Sequence, residues 1–216
     1  MLTSPVDILF VRFIITSTIN EGRLLTMIGM NNSQESRVSN KLHTKDYAYI
    51  GQCAALIAIC SWITIPSMVP FTMQTFAVFL TLGLLGGKRG TMSVIVYLLL
   101  GAIGLPVFSG FAGGIGHMMG PTGGYIIGFI GTALVMWFFE RKFGNGQKSL
   151  IASMTIGLLV CYAFGTAWFM AVYTKNTGAI GLGTALSMCV VPYLIPDALK
   201  IILASLLCNR LRKHVN

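Results

Sequence analysis

Carboxylates are scarce in this chain: its 216 residues hold six Asp and Glu against fifteen Lys and Arg, and beyond Glu140 the only acid left is Asp197. So few acids leave no paired-carboxylate constellation for general acid–base catalysis. Histidine is scarcer still, with His43 and His214 in the terminal segments, too far from Ser109 to serve it as a base, and His117 alone between them. There is no G-x-S-x-G elbow and no H-E-x-x-H pair. The stretch GLLGGKRGT fails as a phosphate loop, because Leu82 stands where the first glycine is required and Arg89 follows Lys88. The five cysteines, Cys53, Cys60, Cys161, Cys189 and Cys208, show no C-x-x-C spacing and sit in or beside apolar runs, which makes them packing residues rather than metal ligands or disulfide partners. These absences exclude hydrolytic, metal-dependent and nucleotide-driven chemistry, so no enzyme, metal or cofactor is expected.

Charge as a whole is also low. Only 10% of the residues are charged and 55% are hydrophobic, with a mean hydropathy of +0.77; ordinary soluble domains carry about 25% charged residues. The composition is that of a single all-α membrane domain. The net charge of +9 does not indicate a nucleic-acid partner, because the basic residues fall between apolar runs instead of forming a basic face.

Residues 1–46 read as a cytoplasmic, poorly ordered extension. The apolar run Ile8 to Ile19 is short of the roughly 20 residues that span a bilayer and contains Arg12, and no basic segment or cleavage site marks a cleaved signal peptide. Six spans follow within residues 47–212, at about Tyr47 to Ile65, Phe71 to Gly86, Gly90 to Leu105, Pro121 to Phe139, Leu150 to Tyr173 and Pro196 to Leu211, with residues 213–216 as a cytoplasmic tail. Placing both termini inside puts Arg37, Lys41, Lys45, Lys88, Arg89, Arg141, Lys142, Lys148, Arg210, Arg212 and Lys213 on the cytoplasmic side and only Lys175 outside. The glycine-rich segment from Asn176 to Val191 is either a short helix lying across the outer face or the start of a kinked sixth helix.

Asp197 and Lys200 stand out against this background. Pro196 suits the first helical position, Asp197 then falls in the first turn, where the helix dipole favours an anion, and Lys200 shares its face at i+3. An ionisable pair inside an apolar segment marks a functional site with a named partner; the alternative is a structural pair with Lys200 snorkelling to the interface. The outer loop Gly104 to Gly124, which includes Phe108, Gly113, Gly114 and His117, is either a flexible gate or a tightly packed re-entrant connection. Thr72, Gln74 and Thr75 lie on the same outer side, where Gln74 can meet a ligand or bridge helices. Small residues four apart, Gly124 with Gly128 and Ala54 with Ala58, suit close helix packing, and the surface of the first span, including Gly51 and Ala55, either packs internally or docks another membrane subunit.

Taken in order, PFTMQTFAVFL, GKRG, YLLLGAIGLPVFSGFAGGIGHMMGPTGGYIIGF and PDALKIILA resemble the BioY family, the biotin-specific substrate-binding subunits (S components) of energy-coupling-factor transporters. The resemblance implies the S-component fold of six transmembrane helices, N-in and C-in, in a bacterial plasma membrane. It also implies biotin bound on the outer side, and a transmembrane coupling subunit and two ATPases as partners, with the family's A-x-x-x-A element on Ala54 and Ala58 facing the coupling subunit. Biotin is then the transported substrate and no cofactor is involved. Its ureido ring offers two N–H donors and one carbonyl acceptor, which Asp197 and Lys200 complement by charge-assisted hydrogen bonds, with Phe71, Tyr125 or Tyr193 as apolar walls. Two other readings remain open: an S component for a different vitamin, and a self-sufficient secondary transporter with Asp197 as an ion relay, although no inverted repeat is visible.

Overall fold

The computed structural model describes residues 44–65, 69–144 and 146–215. Residues 1–43, most of the expected extension, lie outside the described residues; the last three residues assigned to it, Thr44 to Asp46, open the first helix. The described chain is helical apart from one small hairpin and its connections: α1 (Thr44–Trp62), β1 (Thr64–Ile65), β2 (Phe71–Thr72), α2 (Gln74–Ala102), α3 (Gly123–Phe143), α4 (Gln147–Asn176), α5 (Leu182–Cys189) and α6 (Leu194–Val215). The antiparallel strands pair Thr64 with Thr72 and Ile65 with Phe71.

The surface of α6 shows which solvent this chain is built for. Leu199, Ile202, Leu203 and Leu206 point outward, each at least half exposed, while Asp197, Lys200, Ala204 and Cys208 face inward on the opposite stripe. A helix that turns its apolar side out and its ions in is matched to lipid and not to water. Among the described residues, three helical runs are long and apolar enough to cross a membrane: Gly123–Phe143, Gln147–Asn176 and Leu182–Arg212. The chain is a multi-pass membrane protein on this pattern.

Second and third spans were expected as separate helices; here they form α2, broken in the middle. Gly86 has φ 77° and ψ 173°, a backbone state that a side chain disfavours, so the helix splits there into two halves. Each half is shorter than the roughly 20 residues of a typical span. An unbroken helix would send the Gly87 N–H to the Gly83 carbonyl. Both groups are instead met from other helices: the Glu140 carboxylate of α3 accepts from the Gly87 N–H, and Arg212 of α6 donates through Nε to the Gly83 carbonyl at 2.7 Å. An acid and a base thus replace one lost backbone bond and tie three helices at that point. Arg89, just past the break, pairs with Asp46 of α1 at 3.1 Å, adding the fourth helix to the same end.

Other boundaries move in ways the local chemistry explains. Phe71 and Thr72 are strand and not helix, and the Thr72 hydroxyl accepts the Gln74 N–H at 3.3 Å, so α2 begins three residues later than expected. Helix α6 begins at Leu194, two residues before Pro196; the first four N–H groups of a helix have no internal partner, so proline is tolerated there and Asp197 stays in the first turn. The segment before it is a separate short helix, α5, followed by a 3-10 turn at Val191–Tyr193. Helices α3 and α4 pack along their lengths, with Gly128 against Cys161 and Thr132 Oγ1 donating to the Gly157 carbonyl at 2.9 Å.

Candidate functional site

A buried charge needs a partner, and here Asp197 and Lys200 have each other. Both are 4% exposed. Lys200 Nζ donates to Asp197 Oδ1 at 2.7 Å and to the Thr72 carbonyl at 2.7 Å, and lies 4.1 Å above the Phe71 ring. Tyr162 of α4 donates to the second carboxylate oxygen, Asp197 Oδ2. An ammonium has three donors and a carboxylate about four lone-pair sites, so Lys200 retains one donor and Asp197 further acceptor capacity for an incoming group. The pair is neutral as a whole, which favours a polar ligand head without formal charge, since a second buried ion would lack its counter-charge.

These groups open onto a cavity of about 70 Å³, several times the roughly 10–15 Å³ that one water needs. Asp197, Lys200, Gln74, Phe71, Tyr125 and Tyr193 all line it. Phe71 and Tyr193 stack at 6.3 Å with their planes 12° apart, and the Tyr193 hydroxyl donates to the Val69 carbonyl, so both rings serve as wall and the hydroxyl is used up behind them. Tyr125 is likewise a wall: its hydroxyl meets Thr166 Oγ1 at 3.0 Å, and its ring lies in the space that a Cβ at Gly165 would fill. Ile126, Phe129 and Leu158 add apolar lining.

The glycine-rich loop is held firmly at its base. Trp62 Nε1 donates to the Pro106 carbonyl at 2.8 Å, Ser61 Oγ to the Val107 carbonyl at 2.6 Å, and the Gly114 N–H to the Gly101 carbonyl at 2.7 Å. Phe108 is fully buried, stacked on His117 at 5.6 Å and edge-on to Tyr97 at 5.7 Å. Among the described residues His117 Nε2 is buried without a hydrogen-bond partner, and burial holds the imidazole pKa below its ordinary value. None of Phe108, Gly113, Gly114 and His117 lines the cavity; the loop reaches it through Ser109 and Thr122.

Several lining groups escaped the sequence reading. Cys161 and Cys189 were expected only to pack, yet both face the cavity. Tyr162 had one available signal: a tyrosine in the middle of an apolar span must find a partner for its hydroxyl. Ala54 and Ala58 are buried within the chain, 1% and 6% exposed, while Gly51, Ala55 and Ile59 form the outward stripe of α1 at the same four-residue spacing.

A family model described as the BioY family matches residues 31–216, well over half of the chain. The chain belongs to the BioY family. It is 42% identical over 164 residues to the biotin transporter BioY of Thermotoga maritima, a match covering 76% of this chain and 93% of that protein. The probable biotin transporter BioY of Pyrococcus horikoshii is 36% identical over 173 residues, covering 79% of this chain and 98% of that protein. A crystal structure at 2.1 Å of the S-component for biotin from an ECF-type ABC transporter superposes with a TM-score of 0.72 at 30% identity, covering 82% of this chain and 96% of that one. The BioY family model also begins upstream of Thr44, so part of the segment read as an extension belongs to the family's own pattern.

In this BioY-family chain Tyr162→Phe removes the donor to Asp197 Oδ2 while keeping the ring. The loss of a hydrogen bond to a charged group lowers stability by about 1.5–3 kcal/mol. A thermal melt of the purified protein in detergent checks this; an unshifted melting temperature would show that Asp197 takes its second donor from elsewhere.

Proposed function

We propose that this chain binds biotin in the Asp197–Lys200 cavity and serves as the substrate-specific S component of an energy-coupling-factor transporter in the bacterial plasma membrane. The observation that carries the reading is the neutral, buried acid–base pair with donor and acceptor capacity left over, lining an aromatic-walled cavity in a chain of the BioY family. The ureido head of biotin is polar, uncharged, and bears both kinds of hydrogen-bonding group. Biotin is also the ligand for which the two relatives and the superposable S-component are named.

Six crossings fit the helices: α1, the two halves of α2, α3, α4, and α5 with α6. The contacts around the Gly86 break gather Asp46, Arg89, Glu140 and Arg212 at one end, which supports placing their basic neighbours together on the cytoplasmic side and the cavity on the outer side. With no nucleotide motif of its own, the chain takes its energy from partners: a transmembrane coupling subunit and two ATPases. A partner docking on α1 would first meet Gly51, Ala55 and Ile59 and not the buried Ala54 and Ala58.

Calorimetric titration of the detergent-purified full chain with biotin tests the reading. The expected isotherm is one-to-one with Kd tighter than about 1 μM, about −8 kcal/mol, undisturbed by excess riboflavin, thiamine or lipoate. Competition by one of those would move the assignment to another vitamin. The ion-relay reading is disfavoured by Lys200, which already neutralises Asp197; uptake into liposomes lacking any ATPase, abolished by a protonophore, would revive it.

A further inference from the structure

Tyr97 is fully buried in the second half of α2 and does not line the cavity, yet its hydroxyl decides what the cavity offers. The hydroxyl has a single proton. Its oxygen lies 3.1 Å from the Val107 carbonyl, which can only accept, so the Tyr97 proton is directed there. Gln74 approaches the same hydroxyl at 2.8 Å, and with the proton committed, Tyr97 can only accept from it. The side-chain amide of Gln74 is therefore turned with Nε2 toward Tyr97. Its Oε1 has no hydrogen-bond partner among the described residues, and Gln74 lines the cavity. A carbonyl oxygen without a protein partner at a binding cavity is an acceptor waiting for a ligand donor.

We infer that Tyr97 is a positioning residue that locks the Gln74 amide with its oxygen toward the cavity, making Gln74 the acceptor for an N–H of the bound molecule. Lys200 is anchored to the Thr72 carbonyl and the Gln74 backbone N–H to the Thr72 hydroxyl, so one residue of β2 holds both the Lys200 ammonium and the Gln74 backbone. Asp197, Lys200 and Gln74 then present acceptor, donor and acceptor. Resting on the biotin reading, this pattern is the complement of a ureido group, which presents N–H, carbonyl and N–H; Asp197 takes one N–H, Lys200 meets the carbonyl, and Gln74 takes the other N–H. An amide free to flip would show its NH₂ to that second N–H and repel it, so the orientation, and not merely the presence, of Gln74 confers selectivity.

A double-mutant cycle on the full chain in detergent tests the inference, with the Kd for biotin measured for wild type, Tyr97→Phe, Gln74→Ala and the double variant. In Tyr97→Phe the Trp62 indole still donates to the Pro106 carbonyl and the Gly114 N–H to the Gly101 carbonyl, so the base of the loop stays tied. Each single variant should weaken biotin binding about five- to tenfold, and the double variant no further than Gln74→Ala alone, because Tyr97 acts only through Gln74. Multiplying losses would overturn the positioning role while leaving biotin as ligand; a wild-type chain that fails to bind biotin overturns both. A second measurement needs no Tyr97 variant. In wild type, methylation of either ureido nitrogen should weaken binding, and in Gln74→Ala one of the two N-methylated biotins should lose that penalty. Equal penalties for both in Gln74→Ala overturn the assignment of Gln74 as an N–H acceptor.

Discussion

Lys200→Met reduces biotin affinity by about 10- to 150-fold, the weight of about 1.5–3 kcal/mol for a hydrogen bond to a charged group, and it destabilises the unliganded protein by a comparable or larger amount. Both follow from where the ammonium sits. It is buried, paired with Asp197 at 2.7 Å and bonded to the Thr72 carbonyl at 2.7 Å, so its removal leaves a buried carboxylate with the Tyr162 hydroxyl as its remaining donor among the described residues. Breaking a buried pair from one side costs about 3–5 kcal/mol. Asp197→Asn is milder on stability, since an amide oxygen still accepts from Tyr162 or Lys200, but the ligand loses its charge-assisted partner. The double variant Asp197→Asn, Lys200→Met separates the two effects. Removing both charges should restore much of the unfolding temperature and none of the affinity. If affinity returns together with stability, the pair is structural and the ligand is recognised elsewhere. Calorimetry and thermal melts on the same four proteins read both quantities.

How much of this site was legible in the sequence depends on whether a residue acts through its neighbours in the chain or through space. Asp197 and Lys200 were legible because three residues on a helix is a spatial statement in itself, and because an acid in apolar sequence is costly enough to demand a reason. The aromatic walls Phe71, Tyr125 and Tyr193 came with the family resemblance, and the structure lines one cavity with them. Tyr162 and Tyr97 were not legible as site residues, since each acts across a long separation: 35 residues from Tyr162 to Asp197, 23 from Tyr97 to Gln74. No periodicity encodes such a pairing. The spans were read from hydropathy, which sees an apolar run but not its caps. It therefore missed the hairpin at Thr64–Ile65 and Phe71–Thr72, whose backbone supplies an acceptor to Lys200, and it placed α6 two residues late. Ala54 and Ala58 show the converse limit. Small residues four apart indicate close packing on some face of a helix, and in this chain that face is internal.

The break in α2 carries a large expected effect on stability that is separate from the binding cavity. Gly86→Val would place a β-branched residue at φ 77°, a strain of about 1–3 kcal/mol, and its Cβ would stand 2.8 Å from Glu140 Oε1. The carboxylate must move, and with it goes the charge-assisted bond to the Gly87 N–H, a further loss of about 1.5–3 kcal/mol. The two terms share an atom and will not add fully, so the expected destabilisation is about 3 kcal/mol, which for a chain of this length lowers the melting temperature by about 6–12 °C. Biotin binding should change far less. Gly86 lies twelve residues beyond Gln74 on the same helix, about 18 Å at 1.5 Å per residue, and the cavity draws none of its lining from Gly86 or Glu140. The comparison that isolates the cause is Glu140→Gln. It keeps an oxygen for Gly87 without the charge or the strain and should recover most of the loss relative to Gly86→Val. A melt as low for Glu140→Gln as for Gly86→Val would put the stabilisation in the carboxylate's charge instead of in the glycine backbone, and a loss of biotin affinity in either variant would mean that the two ends of α2 move together.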